Sequence, residues 1–169
     1  MKALGAAAIL AACLLYAAAV VRTKRRQLAQ LRALCGALER MNAELTMSLM
    51  PLPALFSMCT GSGREEVDAF FRMVAIGLND LESRSFQQIW EDALRQRLAE
   101  LDTEEKRQLR TLGSWLGRYP PDEQSAALVR CLSCLRQSCD QRGQLLPQQS
   151  RLCFGLSAAA GVFLLILLL

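Results

Sequence analysis

The sequence predicts an all-α fold: a cytoplasmic helical bundle of about six helices, flanked by an N-terminal and a C-terminal transmembrane helix. Three observations predict it. Apolar residues recur every three or four positions through the middle of the chain, and no run alternates as a strand does. Pro51, Pro53, Gly61, Gly63, Pro120 and Pro121 cut that pattern into pieces of helix length. Two stretches without charge, Ala3 to Val21 and Leu152 to Leu169, lie at the two ends of the 169 residues. About 20 apolar residues span a bilayer as a helix. The expected organisation is residues 1–21 as the first span, 22–151 as one domain and 152–169 as the second span. A middle of about 130 residues suffices for a single domain with its own core.

The first helix is expected over 28–49, continuous with the first span, with Leu31, Leu34, Leu38, Met41, Leu45 and Leu49 on one face. Pro51-Leu52-Pro53 stops it, and Pro53 suits the first position of a short helix through Cys59. Thr60 to Gly63 is a turn. A helix over 64–78 turns Val67, Phe70, Phe71, Val74 and Leu78 inward. The next, over 85–98, carries Phe86, Ile89, Trp90, Ala93, Leu94 and Leu98 as an apolar stripe. Asp102 to Glu105 reads as a capping box that starts a helix with Leu109, Leu112, Trp115 and Leu116 inward. Glycine inside a helix costs about 1 kcal/mol against alanine. Gly113 is therefore expected where a neighbouring helix comes close, and Gly117 as the left-handed residue that ends this helix. The last long helix is expected over 122–144, with Leu128, Cys131, Leu132, Leu135 and Cys139 on one face, and Pro147 separates it from the second span. Antiparallel packing of the first and last long helices closes the bundle.

Charge is unevenly spread. Residues 22–32 hold five basic residues and no acid, 33–123 hold ten basic against fifteen acidic, and 124–151 hold four basic against one acidic. Arg22, Lys24, Arg25 and Arg26 follow the first apolar stretch, and Arg151 precedes the second. The positive-inside bias puts the middle in the cytoplasm, the termini outside, and the basic flanks against anionic lipid. A cleaved signal peptide at Ala17 to Ala19 is the rival, opposed by the positive charge just beyond it. The basic residues are not spread over a folded face, which argues against nucleic acid as a partner.

Histidine is absent, which removes the commonest general base and metal ligand. There is no phosphate-binding Gly-x-x-x-x-Gly-Lys-Ser/Thr loop and no Gly-x-Ser-x-Gly elbow. Cys131-Leu-Ser-Cys134 is a single pair in mid-helix, without the second pair or histidines of a zinc site and without the strand that precedes a thioredoxin motif. No metal, cofactor or catalytic residue is expected. The seven cysteines read as reduced thiols packed as small apolar residues. The acids Glu65, Glu66, Asp68, Glu100, Asp102, Glu104 and Glu105 sit at helix starts, where they favour the positive end of the helix dipole. They are also the candidate surface for a basic partner. Gly155 and Ala159, with Ser157 and Gly161, make the small-residue spacing that lets membrane helices pack closely.

Three segments carry a family resemblance over essentially the whole chain: Pro51-Leu-Pro-Ala-Leu55, Ile89-Trp-Glu-Asp-Ala-Leu94, and Leu112-Gly-Ser-Trp-Leu-Gly117 followed by Asp122 and Gln124. With the two end spans, their order resembles the stage III sporulation protein AB family of spore-forming bacteria. That family typically has an acid where this chain has Ala54, and fewer cysteines. The resemblance implies a soluble region similar to the F domain of type II secretion platform proteins. It also implies a non-enzymatic platform in the plasma membrane, on the mother-cell side of the channel-like complex joining mother cell and forespore. The implied partners are the stage III sporulation AA-type ATPase and other membrane subunits of that complex, besides membrane lipid; a homo-oligomer stays open. One alternative is a general type II secretion or type IV pilus assembly platform. Another, of a different class, is a membrane-bound thiol redox enzyme using Cys131 and Cys134.

Overall fold

The computed structural model describes residues 2–47, 51–80 and 84–168, and mostly backbone alone over the two apolar ends. Six α-helices and one 3-10 turn make up the described chain, with no strand among the described residues. They are α1 (Lys2–Met47), α2 (Leu52–Met58), α3 (Glu65–Gly77), the 3-10 turn Leu78–Asp80, α4 (Phe86–Arg97), α5 (Thr103–Trp115) and α6 (Pro121–Leu168). They fall into two compact units, one of residues 29–139 and one of both ends, 1–28 with 140–169. Among the described residues no helix is long and apolar enough to cross a membrane. Both expected spans fall on stretches whose side chains lie mostly outside the described residues, as do Leu49 and the side chain of Arg151.

Local chemistry sets the ends of the short helices. Pro51 is extended and precedes α2, with proline again in its first turn, where a missing amide costs no hydrogen bond. Gly61 and Gly63 both take positive φ, 85° and 78°, which a side chain rarely adopts. Between them the Ser62 amide donates to Asp68 Oδ1 at 2.8 Å, so an acid of α3 fastens the turn that precedes it. Ser85 caps α4 with a reciprocal box: its hydroxyl accepts from the Gln88 amide, and Gln88 Oε1 accepts from the Ser85 amide. At α5, Glu105 accepts the Asp102 amide at 3.0 Å, as its spacing predicts. Gly117, at φ 74°, ends that helix in the left-handed conformation.

The core of the 29–139 unit is a set of rings around Trp90. Phe70 meets the indole edge-on with centroids 4.9 Å apart, and Phe56 and Phe86 lie at 6.1 and 5.9 Å. These rings come from α2, α3 and α4, so one indole is shared by three helices. Aromatic pairs of this geometry contribute about 0.5–1.5 kcal/mol beyond the area they bury. The fourth side is α5. Trp90 Nε1 donates to the Leu109 carbonyl at 2.8 Å, and a Cβ at Gly113 would come within 2.3 Å of Trp90 Cδ1. The indole therefore lies on bare backbone one turn long. Gly77 does the same for Ile89, which would sit 2.4 Å from a Cβ there. It brings α3 close to α4.

Leu31, Leu34, Ala37, Leu38 and Met41 of α1 are buried, as are Leu128, Cys131, Leu132 and Leu135 of α6. Within this unit the two helices run antiparallel, because Asn42 meets Ser125 at 2.8 Å while Glu39, earlier in α1, meets Arg136, later in α6. The Cys59 thiol donates to the Ala37 carbonyl at 3.6 Å and ties the end of α2 to α1.

Four expectations need correction. Pro147 does not separate α6 from the apolar end: it lies inside one continuous helix. A proline inside a helix costs about 3 kcal/mol, whereas a break leaves up to four amides and four carbonyls to be satisfied at new ends. Trp115 is not a core residue but half-buried. Gly117 turns the chain so that Tyr119 covers the Trp115 ring, centroids 4.5 Å apart, and Leu112, Gly113 and Leu116 take the inward positions. Leu45 and Phe86 are likewise half-buried.

Gly113→Ala forces a methyl into the Trp90 indole and is expected to destabilise the full-length protein by about 1–3 kcal/mol, as overpacking does. Gly36→Ala, in α1 with open space where its Cβ would be, is expected to be neutral or to stabilise by up to about 1 kcal/mol through helix propensity. Thermal unfolding followed by circular dichroism separates the two, and equal effects refute the notch.

Candidate functional site

The cysteines are the first candidates for chemistry. All five described ones, Cys35, Cys59, Cys131, Cys134 and Cys139, are free thiols, and all but the half-buried Cys134 are buried. Cys131 and Cys134 lie on the same helix but not equally deep. Burial pushes the Cys131 thiol up to about 12, with proximity to Cys134 adding to it. Burial pushes Cys59 up to about 11. The Cys35 thiol is raised further still, first by its hydrogen bond with Cys139 and then by burial. A reactive thiol needs the opposite, a lowered pKa in an electropositive and partly open setting. Among the described residues no group of three or more histidine, cysteine, aspartate or glutamate side chains could hold a metal ion.

The acidic helix starts separate into two kinds. Asp68 and Glu105 face their own chain: Asp68 holds the 60–63 turn, and Glu105 is 2% exposed with its carboxylate on the Asp102 amide. Asp102 is the other half of that capping box, its side chain accepting from the Glu105 backbone amide, and the remaining acids face outward. Glu65 is exposed and pairs with Arg72 across two turns of α3 at 3.5 Å, and Glu66 beside it is half-buried. Glu100 and Asp102 are exposed. Glu104 holds Arg107 in a bidentate pair at 2.7 and 2.9 Å. Its carboxyl sits below the usual range, first because Arg107 and then Gln108 hydrogen-bond to it. Both carboxylate and guanidinium are fully exposed, so water screens the pair. A groove of about 440 Å³ runs between α2 and α3, lined by Ala54, Ser57, Ala75 and Ile76, with Arg72, the partner of Glu65, on its wall.

Arg22, Lys24, Arg25 and Arg26 are all exposed along α1. Gly155 and Ala159 are exposed too, and nothing lies within 4 Å of where a Cβ on Gly155 would sit. Gly161 lies outside the residues whose side-chain surroundings are described.

One surface was missed from the sequence. The Trp115 ring carries Tyr119 at 4.5 Å, and the Arg130 guanidinium of α6 lies over it, 5.6 Å from its centroid. Gln124 locks the corner, accepting from the Gly117 amide at 3.3 Å and donating to the Tyr119 carbonyl at 2.6 Å. Helical spacing placed Trp115 in the core and gave no account of Arg130 fifteen residues on. The usable signal was Gly117 itself, which ends the helix and frees the residues around it to turn outward.

The fold and this surface define a helical-bundle module built on ring packing, protonated core thiols and charged helix ends. Residues 2–169 match the stage III sporulation protein AB family (spore_III_AB), and the chain belongs to that family. Membership assigns it a role in sporulation. Its fold is similar to a solved structure of stage III sporulation protein AB (SpoIIIAB), with a TM-score of 0.60 and 24% identity over 68% of this chain and 91% of the other. No curated individual relative matches the chain.

The thiols carry a pH signature. Their ordinary value is 9.0, and in the folded protein Cys59 and Cys131 stand at about 11 and 12. The unfolded chain therefore loses these protons first as pH rises. Their stabilisation is complete below about pH 9 and is lost as pH climbs through the folded values. A Cys59→Ala/Cys131→Ala variant is expected to start less stable at about pH 8 and to lose less stability up to about pH 11 than the parent. Denaturant titrations across that range measure both slopes, and parallel slopes refute the assignment. Iodoacetamide is expected to label Cys59 and Cys131 roughly a hundredfold more slowly in the folded than in the unfolded protein.

Proposed function

We propose that this chain is a non-enzymatic membrane platform of the sporulation channel complex, which holds a helical bundle at the cytoplasmic face of the plasma membrane for a cytoplasmic ATPase to dock on. The observation that carries this reading is the continuity of the two longest helices. α1 and α6, of 46 and 48 residues, each leave the bundle and run unbroken into an apolar end. A helix of about 20 residues already spans a bilayer, so each has length enough for a span and a bundle helix together. The exposed cations at 22–26 sit on α1 where such a span would meet headgroups.

We place the docking face at the start of α3 rather than at Asp68 or Glu105. Asp68 and Glu105 are engaged in turns and caps of their own chain, and their charge is spent there. Glu65 and Glu66 open α3, and Glu65 pairs with Arg72 on the wall of the α2–α3 groove, where a basic partner would find a carboxylate next to a cleft of mixed polar and apolar lining. The buried, protonated thiols speak against the redox alternative.

Glu65→Lys/Glu66→Lys, with Asp68 retained, is expected to lower capture of the stage III sporulation AA-type ATPase by at least about fivefold in a pull-down with the full-length protein, without changing its circular dichroism. Unchanged capture takes the start of α3 out of the docking face. A reporter active only outside the cytoplasm is expected to stay silent when inserted after Glu123, and activity there reverses the topology.

A further inference from the structure

The corner between α5 and α6 is built like an interaction hot spot, and the proposed platform role does not use it. Trp115, Tyr119 and Arg130 meet at one ring, Tyr119 tilted against the indole and the Arg130 guanidinium over it. Tyrosine, tryptophan and arginine are the residues that dominate interface energetics. Tyr119 is 40% exposed and Val129 beside Arg130 is 52% exposed. The two Gln124 hydrogen bonds hold the corner in place before any partner arrives, which removes part of the ordering cost of binding. Arg118, in the turn, and Arg130 make no ion pair among the described residues. The result is an ordered aromatic surface with two arginines outside any such ion pair, next to the exposed acids Asp122 and Glu123 of the first turn of α6.

Its complement is on the same helix. The first turn of α5 carries Glu104, which pairs with Arg107 of its own helix, and Glu100 lies in the turn just before the helix; both are exposed, and Glu100 has no partner among the described residues. Thirteen residues of helix at a rise of 1.5 Å separate the two ends by about 20 Å. One chain cannot fold its own acidic end onto its own aromatic corner, because the helix between them is straight and hydrogen-bonded. A second copy can supply it. We propose that this corner is a head-to-tail self-association surface: Trp115, Tyr119, Arg118 and Arg130 of one copy receive the acidic start of α5 of the next. Such a contact is heterologous, leaves one free end of each kind, and builds a ring or a row. The start of α3 takes no part in it, so this surface and the ATPase docking face stand or fall separately.

The test is charge reversal with complementation in the full-length protein, in detergent at up to about 100 µM, where even weak association is visible. Sedimentation velocity is expected to show wild-type oligomers. Arg118→Glu/Arg130→Glu and Glu100→Lys/Glu104→Lys are each expected to weaken association by at least about tenfold. Mixing the two variants restores it, since each supplies the reversed partner of the other, and the quadruple variant associates on its own. That rescue separates a lost interface from a lost fold. A photo-cross-linker placed at Tyr119 is expected to capture residues 100–107 of another copy. A monomeric wild type, variants that associate unchanged, a mixture without rescue, or cross-links to nucleic acid or to a different protein in place of a second copy each overturn the proposal.

Discussion

Trp90 rests on the bare backbone of α5 between Leu109 and Gly113, and the bundle is organised around that contact. Three requirements meet at one indole. Its ring faces need other rings, which Phe56, Phe70 and Phe86 supply from three helices. Its N–H, buried away from water, needs an acceptor, which the Leu109 carbonyl supplies. Its remaining edge needs space, which only a glycine at 113 leaves. Any larger residue at that turn would lift α4 from α5 and leave the N–H without its partner. An unsatisfied buried donor costs about 1–3 kcal/mol, a large share of the stability of a typical domain.

Around this core the charged residues fall into structural and available sets. Glu105 satisfies the amide left over at the start of α5, and Asp68 is committed to the Ser62 amide in the turn before α3. Glu65, Glu100 and Glu104 favour the same dipole end without being enclosed; Glu65 and Glu104 share their charge with Arg72 and Arg107 at the surface, and Glu100 presents its charge to solvent. The cysteines follow the same division. Cys35, Cys59, Cys131 and Cys139 fill gaps between α1, α2 and α6 as small apolar groups, and burial keeps them protonated. The proposed functions, docking of an ATPase and association with further copies, both draw on residues that the core leaves unspent.

Most of the bundle was legible in the sequence where a single helix decides the matter. The stripes of α3 and α4 follow from spacing alone. The Glu105 cap and the left-handed Gly117 follow from local backbone chemistry. Reading across helices succeeded less well. Gly113 announced a close approach, but not that Trp90 makes it, and Gly77 announced nothing. Trp115 has the right helical phase for the core and is half-buried all the same, because Tyr119 and Arg130 compete for its ring. Pro147 has the chemistry of a helix stop, yet its local cost is smaller than that of ending a long helix twice.

The sequence by itself determined the all-α class, the helix starts and stops set by Pro51, Gly61, Gly63, Ser85 and Gly117, the inward faces, and the segregation of charge along the chain. These are properties of residues a few positions apart, so composition and periodicity carry them. Only the tertiary structure decided which ring lies in which notch, which acids are turned inward, that Cys35 meets Cys139, and that Trp115, Tyr119 and Arg130 meet at one ring. Each of these joins residues from separate elements or across a turn, and packing complementarity between surfaces selects them. Helical periodicity records which way a side chain faces, and nothing about what it will meet there.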